Sequence, residues 1–153
     1  MGFYDWLAGF ATGESWFTLK VVNGGTTISP VWGINLRDDD ACILEDIVLE
    51  LGFGNIYNRH QTYEGTGRNG NPQACFQVTN VPDCVKVVDI FREHRLAGKK
   101  AQVFEVWAKA IDHMALYYRR HRKLYSDHYD LDYLLSLKAE ITELVEYRAL
   151  VAV

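Results

Sequence analysis

Cysteine is scarce in this 153-residue sequence, and long hydrophobic runs are absent. The three cysteines, Cys42, Cys75 and Cys84, are odd in number and lack the close paired spacing of a zinc site. This pattern favours free thiols in a reducing compartment, so we expect an intracellular protein of a bacterial or archaeal cytoplasm or of an organelle matrix. No segment approaches the roughly 20 apolar residues of a membrane span, and no N-terminal run resembles a secretory signal. We therefore expect neither zinc nor a membrane partner.

An excess of positive charge is also missing, because 16 Lys and Arg residues face 20 Asp and Glu residues and the formal net charge is -4. This excludes a chain coated in positive charge, the usual footprint of a non-specific nucleic-acid binder. The charges are uneven along the sequence, however, so a basic face is compatible with the negative total. The later basic residues are Lys99, Lys100, Arg119, Arg120, Arg122 and Lys123. For the last four of these, phosphate contact and a solvated face are equally favoured.

Hydrophobic residues make up 48% of the sequence, enough for the core of a single domain over residues 1–153. Their spacing predicts an order of helices and strands. The predicted elements are a helix over 3–11, strands over 16–22 and 28–37, a helix ending at 51, strands over 55–63 and 73–79, and helices over 82–95, 99–113 and 132–150. Three aspartates at 38–40 are candidate caps for the second helix. Because helices follow hairpins, we predict an α+β fold of order αββαββα, with an antiparallel sheet covered on one face and extra C-terminal helices.

The predicted open face of this sheet is polar and rich in amides. Arginine pairs with guanine, Asn or Gln with adenine, and Thr or an aromatic edge with the thymine methyl, so such a face suits base reading in a major groove. A plain solvated sheet face shows the same alternation, and the pattern alone does not separate the two interpretations. Alternation assigns to this face Trp16, Thr18, Lys20, Ser29, Asn35, Arg37, Tyr57, Arg59, Gln61, Gln73 and Gln77.

Residues 7–15 read Leu-Ala-Gly-Phe-Ala-Thr-Gly-Glu-Ser, an apolar helix with two glycines four apart and a carboxylate just beyond. The two glycines suit the close approach of a second backbone. This segment resembles the LAGLIDADG motif of homing endonucleases, in their single-motif, homodimeric form. The resemblance extends to the order of elements, to the junction over 36–40 and to the Gly-Lys-Lys run over 98–100. It implies that the antiparallel sheet is saddle-shaped.

The resemblance also implies the composition of a metal site at a two-fold axis. In this family the motif helices of two half-molecules pack together, and the last acid of each motif binds a divalent metal. Glu14 occupies that position, and with one motif per chain a homodimer on a roughly palindromic double-stranded DNA target follows. Glu14 and the Gly13 carbonyl, with phosphate oxygens, would hold Mg²⁺, for which Ca²⁺ or Mn²⁺ substitute, and no small-molecule cofactor is implied. The helix seam would contain Leu7, Ala8, Gly9 and Thr12.

The resemblance also covers a basic residue and a polar residue that the family has near its active site. Lys99 matches a basic residue that supports the attacking water or the developing charge, and Lys100 is the alternative if the register slips by one. A polar residue that the family often has near the end of the second strand corresponds to Leu36, with Asn35 and Arg37 as its neighbours. These matches assign the catalytic role to Glu14 and Lys99.

Two further departures keep a second function open. Thr12 stands where the motif has its first acid, and Ser15 stands where it has glycine. The metal role belongs to the later acid, so the leading hypothesis is a metal-dependent, site-specific DNA endonuclease of the intron-homing type. The alternative is a cleavage-inactive nucleic-acid binder of the same fold, either an RNA maturase or a transcription factor. A third hypothesis is a small-ligand or protein-interaction domain that uses the open sheet face for docking.

Overall fold

The structure is a computed structural model that describes residues 2–59, 72–121 and 129–151. Its helices are α1 (Phe3–Glu14), α2 (Ala41–Leu51), α3 (Val81–Glu93), α4 (Gly98–His121) and α5 (Leu131–Val151). Its strands are β1 (Ser15–Val22), β2 (Thr27–Arg37), β3 (Asn55–Arg59) and β4 (Gln73–Val78). The predicted α+β class and the αββαββα order with additional C-terminal helices are confirmed.

The four strands form one antiparallel sheet in the order β1-β2-β4-β3. The turn between β1 and β2 requires the positive φ angles of Asn23, Gly24 and Gly25, which are 53°, 66° and 93°. One register row crosses all four strands, since Trp16 faces Gly33, Gly33 faces Gln77, and Gln77 faces Asn55. This row fixes the face of every other strand residue, because side chains alternate along each strand.

The core lies between one face of the sheet and the helices. Trp32 of β2 is fully buried at its centre, with ring centroids 5.3 Å from both Phe76 and Phe91 and 6.4 Å from Phe17. Edge-to-face aromatic packing of this kind adds to the free energy gained by burying apolar area. Helix α4 contributes Trp107, whose indole N–H donates to the Thr18 carbonyl at 3.1 Å. The helices therefore cover a single face of the sheet, as predicted.

Helix α1 is longer than the sequence predicted and continues past Ala11 to Glu14. The hydroxyls of Thr12 and Ser15 donate to the carbonyls of Ala8 and Ala11, at 2.8 and 2.7 Å. These bonds support the last turn despite the low helix propensity of Gly13. Near the other end of α1, Asp5 accepts from His94 at 2.7 Å, and this hydrogen bond lowers the pKa of the Asp5 carboxyl. The motif helix is thus attached along its whole length.

The predicted caps differ from those in the structure. Asp38–Asp40 form a 3₁₀ turn before α2, and Asp40 makes no side-chain cap hydrogen bond. The expectation of aspartate capping is therefore wrong at this helix. At α3 the sequence analysis missed a cap, because the Asn80 side chain accepts from the Asp83 amide at 2.9 Å. An asparagine three residues before an acidic residue is the signal that would have revealed it.

Helix α5 is attached to the β1–β2 hairpin by polar contacts. The Tyr129 hydroxyl accepts from the Ile28 amide at 3.1 Å, and the Lys138 ammonium donates to the Leu19 carbonyl at 2.8 Å. Leu19 faces Pro30 across the hairpin, and a proline has no N–H to donate. No helix over 2–59, 72–121 or 129–151 combines the length and apolar character needed to cross a membrane.

Candidate active site and open sheet face

Glu14 is the last residue of α1, and its side chain is exposed. Because the helix ends there, the Gly13 carbonyl has no amide four residues later within the helix. The carbonyl end of a helix carries partial negative charge, which favours a cation. A carboxylate and a main-chain oxygen therefore stand together where a positive ion is electrostatically favoured.

The donor set at the end of α1 fits a hard cation, but only in part. Its ligands are oxygens, which Mg²⁺ and Ca²⁺ prefer. Within the described part of the chain, no group of three or more His, Cys, Asp or Glu residues stands together to hold a metal ion. Glu14 also forms no ion pair there. A single chain thus supplies one carboxylate, and a shared site requires a second.

The two lysines at the start of α4 point to different neighbours. The Lys100 ammonium donates to the main-chain carbonyl of Ser15, the residue that follows Glu14. The Lys99 ammonium donates to Gln102 at 3.2 Å and lines a cleft of about 330 Å³ beside Glu140 and Glu143 of α5. The structure therefore brings Lys100, the alternative position, to the end of the motif helix.

The exposed side of α1 is apolar and flat. Trp6 is 41% exposed and stacks on Phe10 with centroids 5.1 Å apart. Gly9 and Gly13 lie on the same side, one helical turn apart, and a Cβ atom at either would meet nothing within 4 Å. A helix with this surface is suited to contact with another helix at short distance.

The predicted seam residues do not all lie on this surface. Leu7 is fully buried and Ala8 is 4% exposed, and both belong to the core of their own chain. They offer no surface to a partner, which corrects their assignment to the seam. Thr12 is half-buried and accepts a hydrogen bond from the Ala97 amide at 3.2 Å. Of the four predicted residues, Gly9 is the one on the open side of α1.

The register places the predicted DNA-reading residues of β1 to β4 on one sheet face, opposite the helices. Asn35 faces Cys75, which faces Tyr57, and Arg37 faces Gln73, which faces Arg59. Of the predicted residues, those exposed are Lys20, Asn35, Arg37 and Tyr57, and those partly exposed are Trp16, Thr18, Ser29, Gln73 and Gln77. The alternation of the sequence thus predicted the composition of the face.

The sequence analysis missed an exposed residue of the open face. Asn55 is exposed and lies in the row of Trp16 and Gln77, because β3 begins there. The alternation that selected Tyr57 and Arg59 applies equally two residues earlier and would have found it. In the same row, the ring of Trp16 lies directly over Gly33, where a Cβ atom would be 2.3 Å from it. Glycine at this position therefore allows the indole to lie flat on the sheet.

Two side chains at the end of β2, Arg37 and Leu36, determine what this strand presents on the open face. Arg37 of the open face pairs with Asp39 at 3.4 Å, and both side chains are about two-thirds exposed. Leu36 points to the opposite face and packs on the core. Hence the second strand presents Asn35 and Arg37, rather than the residue at the family's polar position.

The remaining residues predicted to contact DNA lie near the end of α4 or outside the residues that the structure describes. Helix α4 includes Arg119 and Arg120 close to its end. Gln61, Arg122 and Lys123 lie outside the described residues. The late basic cluster accordingly stays a sequence-based prediction.

Comparison with solved structures identifies meganucleases as similar in fold. The chain shares 22% identity with the I-CpaMI meganuclease bound to uncleaved DNA (TM-score 0.65; 90% of this chain, 42% of that chain). It shares 19% with I-SmaMI bound to an uncleaved DNA target in the presence of calcium ions (TM-score 0.72; 94% and 46%). It shares 18% with the homing endonuclease I-TnaI (TM-score 0.67; 94% and 96%). The chain thus spans less than half of the first two proteins and nearly all of the third.

Sequence comparison with curated proteins gives no match. The family model described as LAGLIDADG endonuclease matches residues 7–111, well over half of the chain. This range begins at the first residue of the motif and includes the four strands, Glu14 and both lysines. The chain belongs to the LAGLIDADG endonuclease family.

Proposed function

We propose that this protein is a site-specific DNA endonuclease of the homing type, active as a homodimer on a long, nearly palindromic double-stranded target. The observation that carries the proposal is the arrangement at the end of α1. An exposed Glu14 follows a flat apolar helix face, and the Lys100 ammonium is bound to the next residue. Two copies joined along this face would bring two carboxylates and two lysines to one axis.

The length of the chain supports a dimer. It spans 42% and 46% of the two meganucleases described above, so two copies approach the length of one such protein. The open side of α1 supports it as well, because Trp6 and Phe10 gain burial when a second helix covers Gly9 and Gly13. A symmetric pair of helices presents the same face on both sides, as a two-fold axis requires.

The chemistry assigned to the site is phosphodiester hydrolysis. Mg²⁺, for which Ca²⁺ or Mn²⁺ substitute, would be held by Glu14 and the Gly13 carbonyl, and it supplies polarisation of the phosphate and activation of water. Lys100 places an ammonium group beside the scissile phosphate, where it stabilises the charge that develops on the oxygens. Lys99, the sequence-based candidate, lies one residue away and faces the acids of α5.

Target recognition is assigned to the open sheet face. Its arginine, asparagine and glutamine side chains match the donors and acceptors of guanine and adenine in a major groove. Tyr57 is 48% exposed on the edge strand β3 of this face and is available for contact with a thymine methyl or a sugar. Docking there places the α1 ends of both chains over the middle of the target.

A cleavage screen tests the proposal. The protein is incubated with Mg²⁺ and a library of duplexes that resemble intron-insertion sites, and the product ends are sequenced. We expect specific double-strand breaks, and Glu14→Gln should slow cleavage at least about a hundredfold, because it removes the charged ligand of the site. Binding of the uncleaved duplex should be retained.

Glu50→Gln is the matched control for this experiment. Glu50 is an exposed glutamate on α2, so the same change in charge is made away from the end of α1. Its cleavage rate should equal that of the unmodified protein. If no duplex is cut, the endonuclease assignment is wrong, and if both variants cut equally well, the assignment of Glu14 as the metal ligand is wrong.

A cleavage-inactive nucleic-acid binder, either an RNA maturase or a transcription factor, is the second candidate. The burial of Leu36 favours it, because no polar side chain is presented at the position where the family often has one. A carboxylate beside a phosphate is repulsive unless a cation lies between them, and this favours the nuclease. Tight, salt-dependent binding of a duplex or RNA with no cutting in Mg²⁺ or Mn²⁺ would select the binder.

A further inference from the structure

Thr12 links the motif helix to the segment that precedes α4. Its hydroxyl donates to the Ala8 carbonyl at 2.8 Å and accepts from the Ala97 amide at 3.2 Å. A hydroxyl has one proton and two lone pairs, so it performs both roles at once. The aspartate that the family motif usually has here carries no proton when ionised, so it could accept from Ala97 but could not donate to Ala8.

A second link runs parallel to the first. Thr12 binds Ala97, and the Ser15 carbonyl accepts from the Lys100 ammonium. Thr12 lies in the last turn of α1 and Ser15 begins β1 directly after it, whereas Ala97 immediately precedes α4 and Lys100 lies in its first turn. The two links therefore join the end of α1 to the start of α4 at two points.

The start of α4 has little other support from its own sequence. The first amides of a helix lack partners within it and are normally bound by a preceding Ser, Thr, Asp or Asn side chain. Ala97 has no such side chain, and Gly98 adopts a φ of +60°. The Ala97 carbonyl accepts from the Ala101 amide at 3.3 Å, so the helix begins here. The Ala97 amide depends on the Thr12 hydroxyl, which belongs to α1.

We propose that Thr12 is a positioning residue that fixes the first turn of α4, so that the Lys100 ammonium stays at the end of α1 beside Glu14. Thr12 does not contact the reacting atoms in this scheme. It sets the distance between the carboxylate and the ammonium through the Ala97 amide. The effect on cleavage depends on the proposed endonuclease function, whereas the effect on α4 does not.

Amide exchange tests the structural part without any need for cleavage. In Thr12→Val the Ala97 amide loses its acceptor, and we expect its hydrogen–deuterium exchange to be about three- to tenfold faster. Thr12→Ser keeps the hydroxyl and should exchange like the unmodified protein. Thr142→Val is the matched control, because the Thr142 hydroxyl also donates to the carbonyl four residues earlier but lies on the exposed side of α5. If residues 97–100 exchange equally in Thr12→Val and the unmodified protein, the proposal is wrong.

Single-turnover cleavage tests the functional part. We expect the cleavage rate at saturating protein to fall about three- to tenfold in Thr12→Val, with the Kd for the duplex unchanged. Thr12→Ser should restore the rate, which a loss of side-chain packing alone would not explain. An unchanged rate in Thr12→Val, or an equal loss in Thr12→Ser, would overturn the role in positioning Lys100. If the unmodified protein cleaves no duplex, the endonuclease assignment fails instead, and the exchange experiment still decides whether Thr12 holds α4.

Discussion

At the scale of single residues, an aspartate would compete with DNA for one arginine of the open face that we propose as the DNA-binding surface. Arg37 lies at one end of the face and pairs with Asp39 in the adjacent 3₁₀ turn. An exposed ion pair is worth little, so Arg37 exchanges readily between the carboxylate and a guanine or phosphate. In the proposed complex, the aspartate would therefore weaken the contacts of Arg37 with nucleic acid.

Replacing this aspartate should strengthen DNA binding. In Asp39→Asn the competing charge is lost, and we expect the Kd for duplex DNA at low salt to fall about two- to fivefold. Asp46→Asn makes the same change in net charge on α2, away from Arg37, and should have a smaller effect. Fluorescence anisotropy at several salt concentrations measures both. Equal effects of the two variants would mean that only net charge matters.

At the scale of elements, the strands were predictable and the exposed side of α1 was not. The alternation of apolar and polar residues in β1 and β2 predicted which side of each strand faces the core. The Asn-Gly-Gly turn predicted that the two strands pair as a hairpin. Helix α1 is apolar almost all round, so its periodicity does not indicate which side packs against the core. For this reason Leu7 and Ala8 were assigned to the wrong side of the helix. Likewise, the side chains of Lys99 and Lys100 point to different neighbours. The neighbours belong to elements that are remote in sequence, so the order of residues did not predict which lysine approaches the end of α1.

The attachment of α5 to α4 provides a pH-dependent contact. His113 of α4 accepts a hydrogen bond on Nε2 from the Asp130 amide at 3.0 Å, and its ring lies against Tyr117 and Tyr133. Burial lowers the pKa of His113 below its usual value of 6.5, although the negative charge of Asp130 opposes this shift. The imidazole is thus held neutral, in the form that can accept.

Acidification should therefore loosen α5. Because the pKa is lower in the folded protein, unfolded chains bind more protons, and the stabilisation is complete above about pH 6.5 and is lost as pH falls towards the folded-state pKa. We expect the Tm of the unmodified protein to fall more steeply between pH 7 and 5 than that of His113→Gln, which keeps an acceptor but does not titrate. Calorimetry at half-unit intervals measures the difference. Parallel curves would contradict a role for His113.

At the scale of the whole molecule, the proposed active site is shared between two copies of the chain. The chain holds one motif helix, one Glu14 and one open sheet face, whereas the DNA-bound meganucleases it resembles are more than twice as long. The family fold was predictable from the motif together with the order of elements. A second copy as the partner stays a prediction from the resemblance, because no pattern within one chain specifies what covers the glycines of α1.

A bulky residue at the glycine face should prevent assembly without disturbing the fold. A Cβ atom at Gly9 meets nothing within 4 Å in its own chain, and the position is exposed, so the Gly9→Leu monomer should stay folded. We expect self-association to weaken at least about tenfold, because two backbones can no longer approach closely. Light scattering over a range of concentrations measures this. Gly2→Leu, which also has open space around it, is the control, and a dimer that persists in Gly9→Leu would show that the contact lies elsewhere.

Strand β1 lies at an edge of the sheet, and α4 and α5 pack against it. The carbonyls of Thr18 and Leu19 accept from Trp107 of α4 and Lys138 of α5. An unprotected edge strand is a template on which a foreign strand can add and extend the sheet. Here the two helices block that template, so polymerisation through continuous β-structure is disfavoured along this side. Removal of α5 would uncover it, and a chain shortened before Lys138 should therefore be prone to aggregate.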